Sequence, residues 1–265
     1  MERFHGFGRD TLYKLIYYFL DHYPSPKPIS NSSCRLVIDG TWFGRNRCLV
    51  VYWDTKKRHI QWWRLTTGER AFEITEDLKN LETQGVVCVS ITSDGGGGIG
   101  RAVRTAYPNI PHQRCVIHIQ RQVRSLVTLR PRSEAGKELS LLIAKLSKIS
   151  DSKQRGWWLK RFEDWSKRWD TFLKERSFSD DKANWWYTHK QLRRAKVVIS
   201  NALSDTFHYL EDSKIPKTSN ELEGRFSSLK RHYGSHRGLS SMRLAGYIAW
   251  YLTVVVNVES PTRNQ

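Results

Sequence analysis

Three acidic side chains lie in sequence settings that suit a metal-dependent phosphoryl transfer. Asp39 lies within the run CRLVIDGTWF and Asp94 follows the run VVCVSITS, and both runs are apolar and typical of β-strands. Glu223 lies in TSNELEGRFSSLK, whose apolar spacing is helical. Magnesium-type ions bind carboxylate oxygens, and two such ions about 4 Å apart can stabilise both the attacking and the leaving oxygen. Three separate elements would then supply the carboxylates of a DNA-cleaving site.

Each acid also has a purely structural interpretation. Asp39 could be a turn residue at a strand end, and Asp94 could lie in a flexible turn, since it precedes GGGG. No Gly-Lys-Ser/Thr follows those glycines, which disfavours a nucleotide-binding loop and favours backbone room beside a metal. On a helix that buries its apolar side, Glu221 and Glu223 lie about 100° to either side of Leu222. Helix geometry alone therefore leaves these two glutamates as alternatives.

The charge of the chain predicts a polyanionic partner. Among 265 residues, 44 Lys and Arg face 26 Asp and Glu, a formal charge of +18 that favours nucleic acid. The residues that we expect to contact DNA phosphates lie in two basic segments and comprise Arg121, Arg124, Lys230, Arg231, His236 and Arg237. Trp185 and Trp186 lie outside the apolar stripes of the chain and are candidates for stacking on DNA bases.

Other features exclude several classes of protein. No apolar run approaches the roughly 20 residues of a membrane span, and no secretory signal peptide opens the chain. The four scattered cysteines predict reduced, mostly buried thiols, so we expect a cytoplasmic, nucleoid-associated protein. Cys115 and His118 form a CxxH pair, but a zinc site needs four ligands, which favours a buried thiol and a hydrogen-bonded imidazole.

Periodicity predicts a helix over residues 9–23, a linker over 24–33, and then a meander of three antiparallel strands, Cys34–Phe43, Arg47–Trp53 and His59–Thr66. Alternating helices and strands follow, in the order Thr75–Gln84, Val86–Thr92, Ile99–Tyr107, His112–Ile119 and Gln120–Thr128. This order predicts the α/β class, and the positions of the acids favour a ribonuclease-H-like mixed sheet flanked by helices.

The stretch between Asp94 and Glu223 is longer than such a fold requires, which predicts an insertion. Its apolar stripes are helical, with a tryptophan-rich stripe from Trp158 to Phe172 and a further helix over residues 190–210. We therefore expect four segments: an N-terminal DNA-binding helix with its linker (1–33), the first part of the core (34–128), an all-α insertion (129–212), and the C-terminal helices with the third acid (213–265).

Five segments of residues 34–245 resemble, in order, the Mutator-like DDE transposases of bacterial insertion sequences: IDGTW, TSDGGGG, RCVIHIQRQV, HKQLRRA and TSNELEGRFSSLKRHYGSHRGLS. The resemblance implies DNA cleavage and joining of the freed 3′ hydroxyl to target DNA, with two Mg²⁺ ions for which Mn²⁺ would substitute. It assigns Asp39, Asp94 and Glu223 as catalytic metal ligands, since the family's third acid ends an Asn-x-Leu-Glu pattern. Cys115 and His118 match its C/DxxH signature, close to the site but not among the ligands.

The resemblance also implies the partners. We expect double-stranded DNA, both the terminal inverted repeats of a transposon and its target, bound by a homodimer or larger assembly. Two alternatives remain open: a ribonuclease-H-like nuclease without strand transfer, and a truncated, non-catalytic DNA-binding remnant. The second is motivated by residues 9–23, which supply about one helix of the longer N-terminal DNA-binding region of related transposases.

Overall fold

A computed structural model describes residues 8–181, 183–235, 239–240 and 242–256. Contacts within the chain divide it into two compact units. The first unit comprises Met1–Ile91, Gly97–Ile110 and Ser219–Gln265, and the second comprises Thr92–Gly96 and Pro111–Thr218.

A five-stranded sheet organises the β structure, in the order β3-β2-β1-β4-β5. Its strands are β1 (Ser32–Trp42), β2 (Cys48–Asp54), β3 (His59–Thr66), β4 (Val86–Ser93) and β5 (His112–Arg114). The meander predicted from the sequence is confirmed, because β1 pairs antiparallel with β2, and β2 with β3. Every residue of β2 is buried, which is the pattern of a strand covered on both faces.

Helices of the first unit pack on both faces of these strands. One face, with Leu36, Ile38 and Val50, packs against α2 (Ala71–Thr83) and α3 (Gly97–Ala106). The opposite face, with Val37 and Val51, packs against α9 (Asn220–Ser235) and α10 (Leu244–Tyr251). Alternate side chains of β1 and β2 therefore pack in two separate apolar layers, one on each face of the sheet. The chain is a mixed α/β protein with a sheet flanked by helices.

The N-terminal helix, α1 (Arg9–Asp21), packs against α10 within the first unit. A Cβ at Gly246 would overlap the carbonyl oxygen of Leu20, so a glycine permits this close crossing. The indole Nε1 of Trp250 also donates to the carbonyl oxygen of Phe19 at 2.7 Å. Helix α1 therefore packs closely on α10, while much of its aromatic surface is exposed to solvent.

Gly85 follows the C-cap of α2. Its φ of 82° lies in the left-handed region, and its N–H donates to the carbonyl oxygen of Glu82 at 2.9 Å.

The strand predicted over His112–Ile119 is wrong beyond Arg114. β5 has three residues, and a helix, α4 (Val116–Val127), begins directly after Cys115. The buried residues of α4 are Val116, Ile119, Gln120, Val123 and Val127, a helical period. The short apolar run CVIHI fits either structure on its own, and packing against neighbouring helices decides for the helix.

The second unit has a helical core. It is formed by α4, α5 (Glu134–Leu146), α6 (Ser152–Arg168), α7 (Asp170–Lys174) and α8 (Lys190–Ser200). The tryptophan stripe packs in this core. Trp158 and Trp165 are buried, and their indole N–H groups donate to carbonyl oxygens of Leu142 and Ala135, each at 2.9 Å.

Two predictions for this unit are wrong in detail. The helix expected over residues 190–210 ends at Ser200 and is followed by two 3₁₀ turns, Leu203–Asp205 and His208–Leu210. A two-stranded hairpin, β6 (Arg176–Phe178) and β7 (Trp185–Tyr187), also lies within a region expected to be all helical. Three-residue strands are too short to give a clear alternation in the sequence.

Candidate active site

Asp39 lies within β1, opposite Val51 of β2. Its exposed fraction is 6%, and its neighbours Val37 and Ile38 are buried in the two apolar layers. One carboxylate oxygen, Oδ1, accepts from the N–H of Gly40 at 2.9 Å. Burying a carboxylate in such surroundings is costly unless hydrogen bonds, a cation or water stabilise it. The position within β1 excludes the interpretation of Asp39 as a simple turn residue at a strand end.

Glu223 lies in the first turn of α9, which packs on the sheet through Leu222, Phe226 and Leu229. One of its carboxylate oxygens lies within 4.8 Å of a carboxylate oxygen of Asp39. Two like charges so close repel each other, and a cation between them would remove that cost. A pair of carboxylate oxygens is the donor set that a hard divalent cation prefers, so these side chains fit a magnesium-type ion.

Glu221, the alternative to Glu223, has other partners. Its carboxylate lies 3.2 Å from Arg225 on the same helix and 3.6 Å from Arg58. The side chain is exposed, and its position on the surface of α9 is typical of an i, i+4 ion pair.

Glu69 is a further carboxylate of this region that sequence reasoning missed. Its side chain lies against Gly40, where an added Cβ would overlap the Glu69 carboxylate. Burial, followed by the negative charges of Glu69 and Asp39, raises the pKa of the nearby Cys48 thiol to about 12. The only available signal was Gly40 itself, because a glycine inside a strand marks a close approach by another group.

Asp94 follows β4 and is held in a hydrogen-bonded loop of the second unit. The N–H of Gly96 donates to its Oδ1 at 2.7 Å, and the N–H of Gly95 donates to Ser93 Oγ at 3.1 Å. Ser93 Oγ also lies 2.8 Å from Nε2 of the buried His112. Side chains of β4 and β5 therefore fix the backbone on which the Asp94 carboxylate is presented.

Arg114 is a second residue that the sequence did not single out. Its side chain packs against Gly95, whose φ is 72°, so that an added Cβ would overlap the guanidinium. A fixed cation therefore lies beside the loop that follows Asp94. The signal available in the sequence was a basic residue directly before Cys115, and basic residues are common throughout the chain.

The four glycines after Asp94 have different surroundings. A Cβ at Gly98 would overlap the carbonyl oxygen of Glu69, whereas a Cβ at Gly97 would meet no heavy atom within 4 Å. The run predicted room beside a metal and its ligands, and at Gly98 the room is taken by the protein's own backbone.

Cys115 is buried directly before α4, and His118 lies half-buried in the first turn of that helix. All four cysteines are free thiols, as expected. Arg121 and Arg124 are exposed on α4, and Lys230 and Arg231 are exposed on α9. His236 and Arg237 lie outside the described residues. The DNA contacts expected for all six basic residues stay predictions.

Comparisons with known proteins identify the family. Among the described residues, no helix combines the length and apolar character needed to cross a membrane. A search of curated proteins returned no match. The family model described as "Transposase, Mutator family" matches residues 48–206, which is more than half of the 265 residues. The matched segment includes Asp94, Cys115 and His118, while Asp39 and Glu223 lie on either side of it. The chain belongs to the Mutator family of transposases.

Proposed function

We propose that this chain is a DDE transposase, which cleaves the ends of an insertion sequence and joins them to target DNA with divalent metal ions. Asp39, Asp94 and Glu223 are the proposed metal ligands. The observation that carries the proposal is the pair of carboxylates from β1 and α9, whose oxygens lie within 4.8 Å of one another although the residues are far apart in the sequence.

The strand order supports the inclusion of Asp94. β1, which carries Asp39, is the hydrogen-bonded neighbour of β4, which ends one residue before Asp94. A ribonuclease-H-like arrangement has its first acid on the first strand and its second after the fourth. The three-strand meander followed by alternating helices and strands agrees with that arrangement. The helical second unit corresponds in our proposal to the insertion between the second and third acids.

The residues have distinct proposed roles. When bound, two Mg²⁺ ions would activate the nucleophile and neutralise charge at the scissile phosphate. Asp39, the most buried of the three acids, would hold these ions together with Asp94 and Glu223. The hydrogen bonds from Gly40 to Asp39 and from Gly96 to Asp94 orient the two carboxylates before the substrate binds. Catalysis then depends mainly on positioning and charge.

Double-stranded DNA is the proposed substrate, as transposon ends and as target. The charge of +18 supports it, because a basic protein gains affinity for DNA by releasing counterions from phosphates. The exposed basic residues include Arg121, Arg124, Lys230 and Arg231, and exposure is what a contact with DNA phosphates requires. A homodimer or larger assembly and an association with the nucleoid are parts of the same proposal.

The test uses Asp39→Asn, which keeps the size of the side chain and removes its charge. We expect the variant to lose Mg²⁺-dependent cleavage of terminal-repeat DNA and the joining of precut 3′ ends, while DNA affinity in EDTA and the thermal unfolding midpoint stay near those of the parent. Full cleavage and joining by the variant would remove Asp39 from the site.

An assay of DNA joining distinguishes a transposase from a nuclease without strand transfer. A precut end with a free 3′ hydroxyl needs no cleavage step, so a transposase inserts it into a plasmid. Cleavage of terminal-repeat DNA without any insertion of the precut end would instead identify a nuclease.

A further inference from the structure

The hairpin of β6 and β7 presents aromatic rings to solvent. We call residues 176–181 and 183–187 the aromatic hairpin. The exposed fractions are 55% for Phe178 and 49% for each of Trp185 and Trp186. A hairpin with three-residue strands has little core of its own, and indole rings are large apolar surfaces to leave in water. Such a cluster indicates a contact surface rather than packing within the unit.

Two arginines lie against the rings on one face of the aromatic hairpin. Phe178 lies opposite Trp185, and Arg176 lies opposite Tyr187, so these four side chains share a face. The guanidinium of Arg176 lies 4.1 Å from the centroid of the Trp185 ring, and the Trp185 and Tyr187 rings meet edge to face at 5.3 Å. Arg193 of α8 lies 3.5 Å from the centroid of the Tyr187 ring. The two arginines hold the rings in place through cation–π contacts.

The adjoining face of α8 adds positive charge. A cavity of about 320 Å³ lies beside Tyr187, lined by Lys190, Arg193, Arg194, Val197 and Val198. Lys190 and Arg194 are exposed. In the described part of the chain, the ion pairs of this region join Asp170 to Lys174 and Lys196, and Glu175 to His189, and neither Lys190 nor Arg194 takes part in one. These two cations are available to an anionic ligand.

Rings that offer a flat face, next to cations spaced along a helix, match the two parts of an unpaired nucleotide. Bases stack on aromatic side chains, and the phosphates between them contact Lys and Arg. Paired DNA offers the phosphates but keeps the faces of its bases within the helical stack. Asp180 and Asp181 lie in the turn of the aromatic hairpin, where Asp181 accepts from Ser179 and from the N–H of Ala183.

We propose that the aromatic hairpin and α8 bind unpaired nucleotides of a DNA strand, with Phe178 and Trp185 stacking on bases and Lys190 and Arg194 contacting phosphates. Trp186, opposite Ser177, lies on the other face of the hairpin. This inference rests on the proposed function only in taking DNA as the substrate. It assigns to the second unit a preference for DNA ends or junctions at which bases are unpaired, separate from the chemistry of the three acids.

The test compares two labelled DNA probes by fluorescence anisotropy in EDTA, where no cleavage takes place. One probe is a duplex with an unpaired thymidine tail, and the other is the same duplex fully paired. We expect the parent protein to prefer the tailed probe. Replacing both Phe178 and Trp185 with alanine should weaken binding to the tailed probe about tenfold for each ring that stacks, with little change for the paired probe.

A control and two further variants keep the result interpretable. Trp157 in the same unit is also exposed, at 44%, with Lys145 and Arg161 over its ring, so Trp157→Ala should retain the preference. Trp185→Phe keeps a stacking ring and should retain most of the affinity. Replacing Lys190 and Arg194 with glutamine leaves the hairpin strands intact and should weaken binding to the tailed probe and reduce its salt dependence.

Equal weakening for the two probes, or an equal effect of Trp157→Ala, would overturn the proposal. A change in assembly size on light scattering without any change in DNA affinity would assign the aromatic hairpin to a contact between copies of the chain and also overturn it. Binding in EDTA is independent of catalysis. A protein that fails to cleave yet prefers the tailed probe through these residues would therefore contradict the proposed function alone.

Discussion

Glu221 and Arg225 form an ion pair at 3.2 Å, one helical turn apart on the surface of α9. Glu223, two residues from Glu221, instead brings a carboxylate oxygen within 4.8 Å of Asp39. The two glutamates therefore make a matched pair of variants. We expect Glu223→Gln to lower the rate of Mg²⁺-dependent DNA cleavage about a hundredfold or more, because a lost metal ligand removes several kcal/mol of charge stabilisation.

Glu221→Gln should leave that rate almost unchanged, since an exposed helical ion pair contributes about 0.3–0.5 kcal/mol to stability. Single-turnover cleavage of a terminal-repeat duplex measures both variants. The assignment of Glu223 would be lost if the two substitutions had the same effect, or if only Glu221→Gln were inactive.

Asp77 is a buried hydrogen-bond acceptor in the first unit. It is fully buried on α2 and accepts hydrogen bonds from Tyr52 at 2.8 Å, Trp62 at 2.9 Å and Arg64 at 2.6 Å. Burial, and then the Asp77 charge, raise the pKa of Tyr52 well above its ordinary value, so its hydroxyl stays protonated and donates. We expect Asp77→Asn to lower the free energy of unfolding by about 3 kcal/mol, because a charged acceptor of three donors is lost.

The neighbouring acid Glu76 is the control for Asp77. It also contacts Arg64, at 2.9 Å, but its side chain is 69% exposed, so Glu76→Gln should cost less than about 1 kcal/mol. Urea unfolding followed by circular dichroism measures both changes. Similar small losses for the two variants would show that the buried network contributes little.

Gly98 and Gly97 differ in what an added methyl group would meet. We expect Gly98→Ala to destabilise the protein by about 1–3 kcal/mol, because its Cβ would overlap the carbonyl oxygen of Glu69 and the backbone must move. Gly97→Ala should be neutral or slightly stabilising, since alanine is the better helix former and the space is open. Thermal unfolding of the two variants checks the order, and a larger loss at Gly97 would contradict it.

Much of the first unit follows from sequence periodicity. The meander, α2, β4 and α3 were predicted with boundaries close to those observed, because alternating residues on β1 and β2 feed two apolar layers and leave a strong pattern. The run after Cys115 was predicted wrongly from Val116 onward. Its four residues up to Ile119 fit a strand or a helix equally well, and only contacts with distant helices select the helix.

The candidate site was predictable in part. Asp39, Asp94 and Glu223 stood out by residue type and setting, but helix geometry left Glu221 and Glu223 equal, and the family pattern had to select one. The proximity of Asp39 and Glu223 then depends on how α9 crosses the sheet, which no local pattern encodes. Glu69 and Arg114 were missed for the same reason. Glu69 contacts Gly40, which is distant in the sequence, and Arg114 contacts Gly95, which does not stand out within a run of glycines.

The open space at Gly97 makes this position suitable for a spectroscopic reporter. Three of the four native cysteines are buried and Cys88 is partly buried. The thiol introduced by Gly97→Cys would therefore be the most accessible to a maleimide dye. A dye there would sit three positions along the chain from Asp94. Its emission would follow the arrival of DNA in real time, in a protein whose own eleven tryptophans would obscure an intrinsic fluorescence signal.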